Sequence, residues 1–217
     1  GDVGTTLYHV SSGNWQLSDE WSDEIGQDWQ GYTWEALAEF LEDVDEIRLQ
    51  EPEKQNLYKL SFYTDERIDR RRLIEQIRIV LNKKEVSAHI IWSVDETSTT
   101  GLLDIVPARA NKLHAIQFLM QQEHFPEDHT VFAGDSGNDL DVLTSGLQAI
   151  LVKNATEDIR KEALKKLSEK NLTNRLYLPR GNFFGMNGNY AAGVMEGLAH
   201  FIPETRALIA KAVEKIR

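Results

Sequence analysis

The chain has no cysteine. Disulfides, thiolate metal sites and cysteine nucleophiles are therefore excluded. No apolar run approaches the ~20 residues needed to span a bilayer. The opening GDVGTTLYHV lacks the basic-then-apolar order of a signal peptide. Positive charge is scarce: 24 Lys and Arg face 35 Asp and Glu, for a formal net charge of -11. The long-range field of such a chain repels nucleic acid and anionic membrane surfaces, so neither is an expected partner. An anionic small molecule would need local help from a lysine, an arginine or a bound cation. These absences are compatible with a cytoplasmic protein, which is the expected location. There is no initiating Met. The glycine-rich turn that opens the chain reads like the middle of a domain, so a longer parent protein is expected.

What is present divides the 217 residues into two styles. Residues 5–10 read as a strand, followed by a polar, turn-rich stretch with three of the five tryptophans. Thr33 can cap a helix with Trp34, Leu37, Phe40 and Leu41 on one face. LYKLSFYTD alternates as a half-buried strand. Asp65 or Asp69 opens a helix in which Leu73, Ile74, Ile77, Val80 and Leu81 recur at helical spacing, and VSAHIIWSVD and GLLDIVPA are further strands. This is the pattern of a small antiparallel sheet with helices on one face.

From Asn111 onward the pattern becomes alternating helix and short, continuously apolar strand: KLHAIQFLMQQ, TVFAG, DLDVLTSG, QAILV, EDIRKEALKKLSEK, RLYLP and a terminal helix from Asn189. That is the signature of a parallel sheet covered on both faces. The expected fold class is thus α/β, a Rossmann-like parallel-sheet core carrying an inserted α+β cap. The core is placed at residues 1–17 and 104–217, with the opening strand in its sheet, and the cap at 18–103.

Ligands of such sheets sit at the carboxyl ends of the strands, and VFAGDSGNDLDVL (131–143) puts an acidic turn there. Asp135 and Asp139 offer oxygen ligands suited to Mg²⁺, which takes one or two carboxylates plus waters and a substrate phosphate. Gly134 and Gly137 permit a sharp turn. Asn138 can orient a carboxylate or a phosphate oxygen, and the amino end of the following helix favours anions. Read alone, SGND is no more than a loop and a helix cap. Lys112 supplies the context, because it opens the helix before this strand and can neutralise a phosphoryl group. Read alone, it too is only a solvated helix-end lysine.

ANKLHAIQFL, VFAGDSGNDLDVL, AILVKNA and NYAAGVMEGLAHF together resemble the sucrose-6-phosphate phosphatase family of the haloacid-dehalogenase (HAD) superfamily. The resemblance covers the whole chain and is weakest across the cap. It implies a Mg²⁺-dependent phosphatase acting on a disaccharide phosphate through an aspartyl nucleophile, with sucrose 6-phosphate the favoured substrate. Lys112 would steady the nucleophile and the phosphoryl group. Asp135 would ligate Mg²⁺, and Asp139 would ligate or orient the metal shell. The family's first motif, Asp-x-Asp-x-Thr, does not occur in these residues, and GDVGTT only imitates it. Either the parent protein supplies that motif or the segment is a non-catalytic, phosphatase-like domain associated with or fused to a glycosyltransferase. Phosphatases for mannosylfructose phosphate or mannosyl-3-phosphoglycerate are close alternatives.

The remaining candidates are Lys59 and Ser61 for sugar hydroxyls, with Tyr58 or Tyr63 against a ring. Arg109 either meets substrate or braces a loop. Asn154 matches a short motif near the active site, or caps the next helix. The six histidines show no metal-ligand spacing, and His114 reads as structural. The tryptophans before residue 35 read as packing residues.

Overall fold

In the computed structural model, which describes residues 2–95 and 100–215, the chain falls into two units, Gly1–Ala115 and Ile116–Arg217. The first opens with an antiparallel hairpin, β1 (Tyr8–Ser11) and β2 (Asn14–Leu17). Its two loop residues, Ser12 and Gly13, have φ of 51° and 83°. Positive φ at both is the mirror-image turn whose twist matches a hairpin. This corrects the expectation that residues 5–10 add a strand to the parallel sheet. Among the described residues β1 pairs only with β2. Nor is the polar stretch before Thr33 irregular. It holds β2 and α1 (Asp19–Gly26), which Ser18 caps by accepting a hydrogen bond from Trp21 N at 3.2 Å. Trp21 and Trp29 are packing residues, wholly buried, whereas Trp15 is 71% exposed.

A four-stranded antiparallel sheet follows: β3 (Arg48–Leu49), β4 (Leu60–Asp65), β5 (Ala88–Asp95) and β6 (Thr100–Pro107), in the order β3-β4-β6-β5. Helix α2 (Trp34–Phe40) starts after Thr33, as the sequence suggests, but the Thr33 side chain makes no capping hydrogen bond. Helix α3 (Arg70–Lys83) starts at Asp69, whose carboxylate accepts from Arg71 N and Arg72 N. Leu73, Ile77 and Leu81, four residues apart, form its buried stripe. They join Leu60, Phe62, Leu103 and Ile105 of the sheet in one core. The expected boundary between residues 103 and 104 falls inside β6, which runs unbroken to Pro107 against β5. A cut there would divide a paired strand.

Helix α4 (Lys112–Gln122) spans the division between the units. The second unit carries the parallel sheet, β7 (Val131–Gly134), β8 (Gln148–Leu151) and β9 (Leu176–Tyr177), paired in that order. Between them run the single-turn helix α5 (Leu140–Leu143) and α6 (Glu157–Glu169). Leu143, Ala149, Leu151, Ala163, Leu167 and Leu176 form the core. The terminal helix is two helices, α7 (Tyr190–Phe201) and α8 (Thr205–Glu214), broken around Pro203. In α7, Gly197 allows close approach to β8, because a Cβ there would sit 2.4 Å from Ile150 carbons. Among the described residues, no helix is long and apolar enough to cross a membrane.

Leu103 is fully buried in the first unit's core. Leu103→Ala is expected to lower unfolding stability by about 2–5 kcal/mol, the usual range for such a cavity. Urea denaturation of wild type and variant measures this, and a loss under about 1 kcal/mol would show that the site collapses around the smaller side chain.

Candidate active site

The acidic turn begins where β7 ends. Asp139 is 6% exposed. Its Oδ2 accepts from Asp135 N at 3.1 Å, Ser136 N at 3.2 Å and Ser136 Oγ at 3.1 Å. Ser136 and Asp139 thereby form a reciprocal capping box. Gly134 is required here. A Cβ would lie 2.7 Å from the Asp139 Cβ, Cγ and Oδ2, well inside contact distance. The glycine thus leaves room for the carboxylate to fold back beneath the turn.

With Asp139 turned inward, Asp135 is the exposed acid. Asn154 steadies it by donating from Nδ2 to Asp135 Oδ2 at 3.2 Å. The same amide's Oδ1 accepts from Tyr190 N at 2.8 Å. Asn154 therefore joins the ends of β7, β8 and the start of α7. Tyr190 holds a positive φ of 45°, an uncommon conformation for a bulky residue, and its side chain is 68% exposed. Asn138 is exposed, and its side chain has no hydrogen-bond partner among the described residues. The expected helix amino end is modest: a 3-10 turn (Gly137–Asp139) and the four-residue α5. One α-turn aligns too few peptides to make much of a dipole.

As a metal set, this turn offers one exposed carboxylate and a neighbouring amide. Magnesium accepts such a hard-oxygen, partly hydrated environment. The expectation that Asp139 ligates the metal meets a buried Oδ2 already bonded to three donors, which suits an orienting role. No group of three or more His, Cys, Asp or Glu side chains that could hold a metal ion occurs among the described residues.

The other candidates lie on other elements of the chain. Lys112, exposed, opens α4 in the first unit, whereas Asp135, Asn138, Asp139 and Asn154 belong to the second. Arg109 is committed as a brace. Its backbone N and its Nε donate to Asp28 at 2.7 and 2.9 Å, and its Nη1 reaches Glu24 at 3.1 Å. Burial pulls its pKa down most strongly, but the bonds and charges of Asp28 and Glu24 together hold it above the ordinary value. Glu24 also receives His114 Nε2 at 2.8 Å, which gives that histidine its structural role.

Ser61 is corrected from sugar ligand to structural residue. It is fully buried, and its hydroxyl donates to Asp104 Oδ1 at 2.6 Å. The cause is the segment before β4, where Gln55 accepts from Ser61 N and donates to Ser61 O. Lys59 is half-buried and lies just before β4, bridged to Asn56. Tyr58 packs edge-on against Trp29, and burial raises its pKa. Tyr63 donates to Glu51 at 2.8 Å.

A parallel sheet with an acidic turn at a strand end, and an antiparallel α+β unit before it in the chain, is the architecture of haloacid-dehalogenase-like proteins. Solved structures agree. The sucrose-phosphatase of Synechocystis sp. PCC6803, determined with sucrose and phosphate, superposes with a TM-score of 0.60 at 25% identity, covering 92% of this chain and 71% of that one. The family model for sucrose-6F-phosphate phosphohydrolase matches residues 1–202, and the chain belongs to that family. A protein of Nitrosococcus oceani, provisionally named a HAD-like hydrolase, is 58% identical over 207 residues, 95% of this chain. The chain spans only 56% of that relative's length. The mannosylfructose-phosphate phosphatase of Agrobacterium fabrum is 27% identical over 202 residues, covering 93% of this chain and 71% of the relative.

Removing Asn154 should loosen Asp135 without disturbing the core. With Asp135 as the expected Mg²⁺ ligand, Asn154→Ala in the intact protein should weaken Mg²⁺ binding about 10–100-fold, the usual cost of losing a residue that orients a metal ligand. Isothermal titration with MgCl₂ measures the change, and an unaltered affinity would reduce Asn154 to a cap for α7.

Proposed function

We propose that the intact protein is a Mg²⁺-dependent phosphatase of a disaccharide phosphate, with sucrose 6F-phosphate the favoured substrate. The observation that carries this reading is the exposed Asp135 carboxylate, held at a parallel strand's end by Asn154 and set there by buried Asp139. Family membership supports the reaction class, and the Synechocystis neighbour was solved with sucrose and phosphate. The Agrobacterium relative is named for mannosylfructose phosphate and a Bacillus subtilis relative for kanosamine 6-phosphate. The leaving sugar is therefore the part of this proposal that a substrate panel decides.

In this reading Asp135 presents oxygen to the cation and Asn154 keeps that oxygen aimed. Bound magnesium would supply positive charge to the phosphoryl oxygens and align the phosphate. Lys112 would lend a second positive charge. Phosphoryl transfer relies chiefly on positioning and charge neutralisation, and these residues suit both tasks. The nucleophile is a separate requirement. The 217 residues hold no Asp-x-Asp-x-Thr, so the parent chain would have to provide it. A phosphatase-like module that binds sugar phosphate beside a glycosyltransferase is the second reading, favoured by that missing motif.

Phosphate release from a panel of sugar phosphates tests both readings. Wild type is expected to prefer sucrose 6F-phosphate and to lose activity in EDTA. Asp135→Ala should abolish turnover with the fold intact. Lys112→Ala should slow turnover by about 10²–10³, the scale for loss of one preorganised charge partner. A twofold effect would return Lys112 to the surface. No release by the intact protein from any substrate would favour the binding module.

A further inference from the structure

Beside β9 lies a second cleft, of about 430 Å³, lined by Tyr177, Arg180, Phe183, Glu196, His200 and Arg206 among others. Its shape is built around Glu196, which is buried on α7. The Glu196 carboxylate accepts from Tyr177 Oη at 3.0 Å, Arg180 N at 2.8 Å and Gly181 N at 3.1 Å. That pins the loop after β9 against α7 and consumes the one acid among the lining residues. The positive side chains are left over. Arg180 and Arg206 are exposed, and neither guanidinium has a carboxylate partner among the described residues. Arg206 lies over the Phe183 and Phe184 rings at 5.2 and 5.5 Å, which holds it in place by cation–π attraction. His200 stacks on Tyr177 at 4.4 Å.

Two guanidiniums with no carboxylate partner among the described residues, and an imidazole, in one cleft stand out on a chain of net charge -11. Guanidinium presents planar, paired donors that match phosphate oxygens. Tyr177 and Phe183 supply ring surface next to them. We propose that this cleft binds a phosphoryl group, free or in a monoester, separately from the acidic turn at β7 and without dependence on a metal. Neighbouring residues anchor the two sites. Asn154 holds Asp135, and Lys153 Nζ donates to the Arg180 carbonyl at 3.2 Å.

The test uses the intact protein in EDTA, so that no divalent cation assists the acidic turn. Inorganic phosphate and glucose 6-phosphate are titrated separately by isothermal calorimetry and by ¹H–¹⁵N NMR. Saturable binding is expected, with shifts at Arg180, His200 and Arg206. Arg180→Gln with Arg206→Gln should weaken it by about 100-fold, on the order of tenfold per charge-assisted contact. Because both side chains are exposed, the double variant should keep the wild-type circular dichroism. If inorganic phosphate binds as tightly as the ester, the phosphoryl group alone is the ligand. If the ester binds tighter, the cleft also reads the sugar. Both results support the site. Shifts confined to residues 135–138, unchanged affinity in the double variant, or no saturation would each overturn it.

Discussion

The arrangement at the sheet end depends on one buried carboxylate. Asp139 could have been a second exposed acid four residues after Asp135. Instead its Oδ2 collects two backbone N–H groups and a hydroxyl from the residues it follows. A carboxylate is an acceptor-only group with room for several donors. Burying it is costly unless those donors are supplied, so the turn and the acid stabilise each other. The result is a turn with one acid inside and one outside.

The same device recurs elsewhere in the molecule. Glu196 collects the N–H groups of Arg180 and Gly181 and so shapes the loop after β9. Asp28 collects the N–H of Arg109 and its side-chain Nε, fixing the residues just before α4. In each case a carboxylate at or near a helix gathers main-chain donors from a loop that leaves a strand. Loops carry function in such folds because a rigid scaffold positions them. Here charge-assisted hydrogen bonds help to fix the loops.

Much of the architecture was legible because it rests on local rules. The Leu73, Ile77, Leu81 stripe marked α3, and of the two openings offered, Asp65 and Asp69, the helix uses Asp69. KLHAIQFLMQQ is helical from its first residue to its last. The apolar runs around Ala133 and Ile150 pair in parallel. The failures share another cause. Tyr8 and Val10 read as a core strand because they are apolar, yet they lie in an exposed hairpin whose register is set by Ser12 and Gly13. Ser61 read as a sugar ligand because it alternates to one face of its strand with Lys59. Its burial depends on a covering segment, with Gln55 on its backbone and Asp104 on its hydroxyl.

The amino-acid sequence by itself determined that a glycine-hinged acidic turn follows a short apolar strand, and that the chain alternates strand and helix from Asn111 on. Spacing and side-chain chemistry suffice for such statements, since they concern neighbours along the chain. Only the tertiary structure decided which carboxylate faces solvent, that Asn154 bridges Asp135 and Tyr190, and that Arg109 is spent on Asp28 and Glu24. Those outcomes follow from donors and acceptors up to 85 residues apart meeting at hydrogen-bond distance, which no local pattern encodes.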